Sequence, residues 1–352
     1  MKKDEFKPLP FWQEIFLKKE ELQEYYKKKR EYQYNNNKHL KGKFIRDALH
    51  PVLLGLMSFA RKYINKQTLE IINDRREKEE IEKNDKPVIY AITHVGMYDI
   101  QIVSEAIKAH QYTFLGDPET MYRTGDGFIM NLNGVVYCDT DDKTDRNIAK
   151  KTSIDALNNG INLMIYPEGV WNLSPNLLTL PLFPGIIDIA LETECNIIPV
   201  AIEQYDSEFI VNIGKSIDVN PLRKKFNDNE ERRQHIEEQK EKLRTEMATL
   251  KWEIMEKKPV EERKKYGKYE DEYRKFVEKR YKEWVNPKTK TPFYNNEIVE
   301  RRTFKPKNIC IAKDAFEHLK HLKINKNNAF LLRSYSGTPS EIETSISSRI
   351  KR

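Results

Sequence analysis

A histidine and an aspartate stand five residues apart in the run His94-Val95-Gly96-Met97-Tyr98-Asp99. They follow the apolar segment 87–93, PVIYAIT, whose β-branched and aromatic content reads as a strand. A turn at the end of a strand can fold a carboxylate back onto an imidazole. The carboxylate then fixes one ring tautomer, and the other ring nitrogen can take a proton from a nucleophile. Taken alone the pair is ambiguous, because a capping or core histidine has the same spacing. Its meaning depends on three blocks downstream, in order: 134–139 (GVVYCD), 165–169 (IYPEG) and 197–202 (IIPVAI).

In combination these four blocks resemble the glycerophospholipid acyltransferase family, which includes the bacterial lysophosphatidic acid acyltransferases. The likeness covers roughly residues 86–220, with support from the segment 243–255. It implies a fatty acyl transfer from an acyl thioester, carried by coenzyme A or acyl carrier protein, to a hydroxyl of a lysophospholipid-type acceptor. That hydroxyl has a pKa far above 7 and needs a base in the transition state. His94 is then the general base and Asp99 the residue that orients it. The acceptor is the nucleophile, so no covalent enzyme intermediate is needed. Gly96 lets the backbone approach the substrate closely. A helix starting near Met97 presents amides to an oxyanion, although the sequence does not say which.

The resemblance also assigns an acceptor site. Glu168 and Gly169 form its third block, where the carboxylate either positions the acceptor or its loop, or ties down a turn through backbone amides. Pro199 reads as architectural. The family carries an arginine after the aspartate of the second block, and Thr-Arg-Ser after the glycine of the third. This chain has Thr140 and Val170-Trp171-Asn172 there. Neither threonine nor tryptophan replaces the bidentate grip of arginine on phosphate. Arg123, Lys143 or Arg146 can stand in from nearby loops, and Trp171 suits a sugar ring or an acyl chain, or else core packing. Thr93 replaces the family's usual asparagine before the histidine. Two alternatives follow: acyl transfer to a non-phosphate acceptor such as a sugar or another lipid hydroxyl, or an inactive membrane-surface adaptor of the same fold.

The elements that hold these residues alternate. Strands are predicted at 88–93, 112–115, 134–138, 161–166, 197–202 and near 209–213, and helices at 99–110, 143–158 and 186–192. This pattern predicts an α/β domain over 67–220: a central, largely parallel sheet flanked by helices. Apolar runs such as 196–202 fit strands buried on both faces. Helical additions are expected on either side. A packing helix at 228–258 carries Ile236, Leu243, Met247, Leu250 and Ile254 on one stripe, and a second is expected at 270–285, within a helical region 221–290. A small piece at 291–333 (its strand–helix–strand core at 304–333) and a polar tail at 334–352 complete the chain.

Residues 1–66 form a basic helical arm. They hold 16 lysines and arginines against 8 acidic residues, a surplus of 8, in a chain of net charge +7. Within it, 48–64 places Leu49, Val52, Leu53, Leu56, Phe59 and Tyr63 on one helical face. Such a helix either lies in a membrane interface with its basic flanks on anionic lipid or packs in the core. An anionic membrane surface is the expected partner and no nucleic acid is expected, although Trp12, Tyr25, Tyr26, Tyr32 and Tyr34 lie among the lysines. The first residues, Met1-Lys2-Lys3-Asp4-Glu5, have no apolar signal region, and no apolar run reaches 18 residues. Cys138, Cys195 and Cys310 show no CxxC spacing. The expected location is cytoplasmic, peripheral on the inner face of the membrane. No metal or cofactor is implied; the acyl thioester is a co-substrate.

Overall fold

The computed structural model describes residues 6–14, 16–77, 87–96, 98–116, 125–169, 171–172, 178–205 and 207–257. Arg123 and the elements expected at 270–285, 291–333 and 334–352 lie outside them.

Seven strands form one sheet among the described residues: β1 (Thr68–Asp74), β2 (Ile89–Ile92), β3 (Gln111–Gly116), β4 (Val135–Cys138), β5 (Asn162–Ile165), β6 (Ile197–Tyr205) and β7 (Glu208–Ile213). Their order across the sheet is β1-β7-β6-β2-β5-β3-β4. Every neighbouring pair is parallel except β6 and β7, which form an antiparallel hairpin. The largely parallel α/β sheet expected from the alternating pattern is therefore present. Strand β1 was not anticipated. Its TLEIIND sequence is interrupted by charge, and its residues are half-buried or exposed, as on an edge strand with one neighbour.

Both faces of the sheet are covered, which explains the unbroken apolar runs. On one face Ile89, Ala91, Leu163 and Ile165 pack against Ile186, Ile187, Leu243 and Met247. On the other Tyr90, Ile92, Met164 and Ile198 pack against Ile102, Val103 and Ile107. The covering helices are α4 (Asp99–Ile107), α6 (Lys143–Asn158), α7 (Gly185–Thr193) and the long α8 (Asn229–Lys257). Helix α6 begins where Asp142 accepts from the amide of Asp145 at 2.9 Å, an N-cap that satisfies one otherwise unpaired donor. Helix α4 stops three residues before the expected end, because Lys108 turns left-handed (φ 64°). A helix the sequence pattern did not reveal, α5 (Gly125–Asn133), precedes β4.

The arm comprises α1 (Phe11–Glu14), α2 (Lys19–Asn35) and α3 (Lys43–Phe59), the last running into a π turn at Ala60–Ile64. Helix α2 is moored to α6 by Arg30, whose Nε and Nη2 donate to the two oxygens of Asp145 at 2.9 and 2.8 Å. Helix α3 buries His50 and Leu53, but Val52, Leu56, Phe59 and Tyr63 are 57–61% exposed. These four residues of the apolar stripe therefore face outward, while Leu53 packs inward. No helix among the described residues is long and apolar enough to cross a membrane.

Candidate active site

Strand order explains why the first and third sequence blocks meet. Strand β2 lies between β5 and β6, and Ala91 pairs with Ile165 in register. Three residues beyond each partner stand His94 and Glu168, at the carboxyl ends of adjacent strands, where parallel sheets leave crevices. Backbone bonds tie the loops together. The amide of Thr93 donates to Val200 O (3.1 Å), and that of Asn172 to His94 O (2.7 Å).

The loop after β2 is organised by one oxygen. Asp99 Oδ2 accepts from His94 Nδ1 at 2.8 Å, from the Val95 amide at 2.6 Å and from the Gly96 amide at 2.9 Å. Asp99 is fully buried, while the His94 side chain keeps 18% of its surface open. An ionised carboxylate only accepts, so His94 Nδ1 carries the proton and Nε2 is the basic nitrogen. The amides of Val95 and Gly96 are thus spent on Asp99 rather than on a substrate.

Aromatic rings form the wall around His94. The Tyr166 ring centroid lies 4.3 Å from the imidazole, tilted by 33°, and that of Trp171 lies 5.7 Å away, edge-on. Burial first, and then the negative charge of Asp99, hold the Tyr166 phenol well above its usual pKa, so it is neutral.

Glu168 is completely buried. Its Oε1 accepts from the amide of His94 at 3.1 Å and its Oε2 from the amide of Leu180 at 2.7 Å. The side chain thus straps the His94 loop to the chain after β5. Burial pushes its pKa up to about 7, and Lys251, the two amide bonds and Arg244 pull in the opposite direction. Gly169 follows with φ 70°, and a Cβ there would stand 2.4 Å from the Phe183 ring. Only glycine allows this turn with the ring against it.

The second block lies elsewhere. Strand β4 is the third strand from β2, about 14 Å away at the usual strand spacing. Arg146 is exposed, and its Nη1 donates to Thr140 O at 2.7 Å, closing the β4–α6 turn. The structure therefore brings together His94, Asp99, Glu168, Gly169 and Trp171, and holds Arg146 in a turn of its own.

Sequence reasoning missed Lys251 and Arg244, the cations of α8 that act on Glu168. Lys251 is 1% exposed and pairs with the fully buried Glu203 of β6 at 3.1 Å. A signal existed: Lys251 stands four residues beyond Met247, within the apolar stripe, where a charge needs a buried partner.

A family model described as Acyltransferase matches residues 72–203. An uncharacterized acyltransferase of Schizosaccharomyces pombe is 25% identical over 134 residues, which cover 38% of this chain and 48% of that protein. The chain thus spans about half the length of this curated relative. The crystal structure of the 1-acyl-sn-glycerophosphate (LPA) acyltransferase PlsC from Thermotoga maritima aligns with a TM-score of 0.41 and 17% identity, over 58% of this chain and 82% of that one. The matched residues 72–203 hold the His94–Asp99 pair and the Glu168 strap, and the match agrees with the acyltransferase likeness of the motif blocks.

Proposed function

We propose that this chain is an O-acyltransferase that moves a fatty acyl group from an acyl thioester to a lipid hydroxyl, with His94 as general base. The observation that carries this reading is the 2.8 Å bond from His94 Nδ1 to buried Asp99, inside an acyltransferase-family domain. It leaves Nε2 as the unprotonated ring nitrogen of a side chain that is 18% open. The acceptor hydroxyl gives its proton to Nε2 as its oxygen bonds to the thioester carbonyl carbon. Asp99 stabilises the imidazolium. When the C–S bond breaks, the imidazolium returns the proton to the leaving thiolate, and ester and free thiol depart. General-base assistance of this kind contributes about 10²–10⁴-fold.

Glu168 and Gly169 act in this scheme by holding the loop, and Trp171 by flanking the acceptor. A lysophospholipid-type acceptor is the default reading, with Arg123 as the candidate phosphate ligand, since Arg146 is held in the β4–α6 turn away from His94. A second reading, a non-phosphate acceptor, is favoured by one observation: the aromatic rings of Trp171 and Tyr166 stand against the His94 ring. Incubating the purified full chain with labelled acyl-CoA or acyl carrier protein, and a panel of lysophosphatidate, lysophospholipid, monoacylglycerol and glycolipid acceptors, separates these. Transfer to lysophosphatidate alone supports the first. Transfer to neutral acceptors supports the second. Absence of transfer to any acceptor overturns both.

The outward stripe of α3 supports a peripheral membrane position, with Val52, Leu56, Phe59 and Tyr63 entering the interface. Flotation with anionic vesicles is expected to carry the wild type upward and to leave a Leu56→Ser/Phe59→Ser variant behind. Equal flotation of the two would remove α3 from this role.

A further inference from the structure

A cavity of about 1090 Å³ lies along the open edge of strand β4, roofed by helix α2 and the turn that leads into α3. It is separate from the catalytic cleft. It reaches Tyr112 and Val135, at the amino-terminal ends of β3 and β4, whereas His94 stands beyond the carboxyl end of β2. Five cations line it, and they fall into two groups. Lys29 and Arg30 are neutralised by carboxylates, Glu14 at 2.5 Å and Asp145 at 2.8 Å respectively.

The second group makes its described contacts with neutral oxygens or none. Lys38 Nζ donates to the Tyr32 hydroxyl at 2.8 Å and sits 4.6 Å from that ring's centroid. Arg46 Nη1 donates to Lys41 O at 2.8 Å and to the Tyr112 hydroxyl at 3.1 Å. Lys41 is exposed beside them. Three cations thus line one cavity without a carboxylate in their described hydrogen bonds.

The site is also built rather than incidental. Left-handed residues, Asn37 (φ 52°) and Gly42 (φ 85°), bracket the turn that presents Lys38 and Lys41. The Tyr112 ring packs against Gly134, where a Cβ would meet it at 2.3 Å, and its hydroxyl meets Arg46. Burial pushes the Tyr112 phenol up, so it is available as a neutral donor. Leu132, Val135 and Val136 add apolar wall near this end, beside Asn131.

We propose that this cavity binds a phosphorylated small molecule, its phosphate held by Lys38, Lys41 and Arg46 and its apolar or aromatic body against Tyr112 and the valines of β4. A bidentate guanidinium and two ammonium groups match a phosphate dianion, and the volume matches sites for ligands of nucleotide or short-lipid size.

Titration calorimetry on the full chain tests this with three probes: inorganic pyrophosphate, adenosine 3′,5′-bisphosphate, and a short-chain lysophosphatidate below its micelle concentration. The second and third distinguish a nucleotide source from a lipid one. Saturable binding of at least one probe is expected, weakened about tenfold or more in Lys38→Gln and in Arg46→Gln, since each removes a charge-assisted contact. Both positions are at least partly exposed, so these variants are expected to fold; circular dichroism checks it. Affinity should also fall with salt. No saturable binding of any probe overturns the proposal. So does binding that is unchanged in both variants but lost in Trp171→Ala, which would locate the probe in the catalytic cleft. A failure of acyl transfer leaves these outcomes unaffected.

Discussion

Asp99→Asn isolates the charge of the pair from its geometry. In the wild type a single carboxylate oxygen takes three donors, while Oδ1 is buried and makes no hydrogen bond. An asparagine keeps all three bonds if its carbonyl occupies the Oδ2 position and its NH₂ the Oδ1 position. The reverse orientation would aim the NH₂ at three donors. Loop and tautomer are therefore retained, and what disappears is the negative charge beside the imidazolium of the transition state. With charge centres about 4 Å apart and an effective dielectric near 20, that attraction is about 4 kcal/mol. This corresponds to a loss of about 10³-fold in kcat/KM. The assay is acyl-thioester consumption in the presence of the best acceptor, followed by thiol release. Thermal unfolding of the variant within a few degrees of wild type shows that the loop survives. Activity within about threefold of wild type would refute the reasoning, because a base that does not charge in the transition state gains nothing from a buried carboxylate.

Glu168→Gln tests the strap. The Glu168 pKa is raised to about 7 in the folded chain from an ordinary 4.5, so its contribution to stability is fully present below about pH 4.5 and is lost as pH rises through 7. Relative to the glutamine variant, wild type should lose about 3 kcal/mol across that window by urea unfolding; parallel curves would contradict it. In Gly169→Ala the added Cβ meets the Phe183 ring at 2.4 Å in a left-handed turn. A destabilisation of about 1–3 kcal/mol is expected by thermal denaturation, with partial recovery in Gly169→Ala/Phe183→Leu. Lys251→Met leaves Glu203 charged and buried and should cost about 3–5 kcal/mol; the Lys251→Met/Glu203→Leu pair should regain most of it in chemical unfolding. A single variant as stable as wild type would remove the ion pair from the account.

Much of the sheet was legible because its strands are buried on both faces and read as continuous apolar runs. Strands β2 to β7 and helix α6 fall within a few residues of their expected positions, since apolar period and capping residue agree there, as at Asp142. Strand β1 escaped because an edge strand with exposed alternate positions lacks that signature. The His94–Asp99 pairing could be anticipated from five-residue spacing after a strand. The meeting of His94 and Glu168 could not, because it depends on β5 pairing with β2 across 74 positions of chain. The role of α8 was half visible. Its stripe was plain, but a lysine inside the stripe reads as a solvated end until Glu203 of β6 is seen beside it. The outward face of α3 is a further case: periodicity groups Val52, Leu56, Phe59 and Tyr63, but cannot say which way the group points.

In the proposed reaction His94 accepts the acceptor's proton. Single-turnover acyl transfer by His94→Ala against wild type, with acceptor and thioester saturating, tests it most directly. A rate reduced about 10²–10⁴-fold, with thioester binding retained, is the expected result. A His94→Ala variant that transfers the acyl group at the wild-type rate would contradict the account.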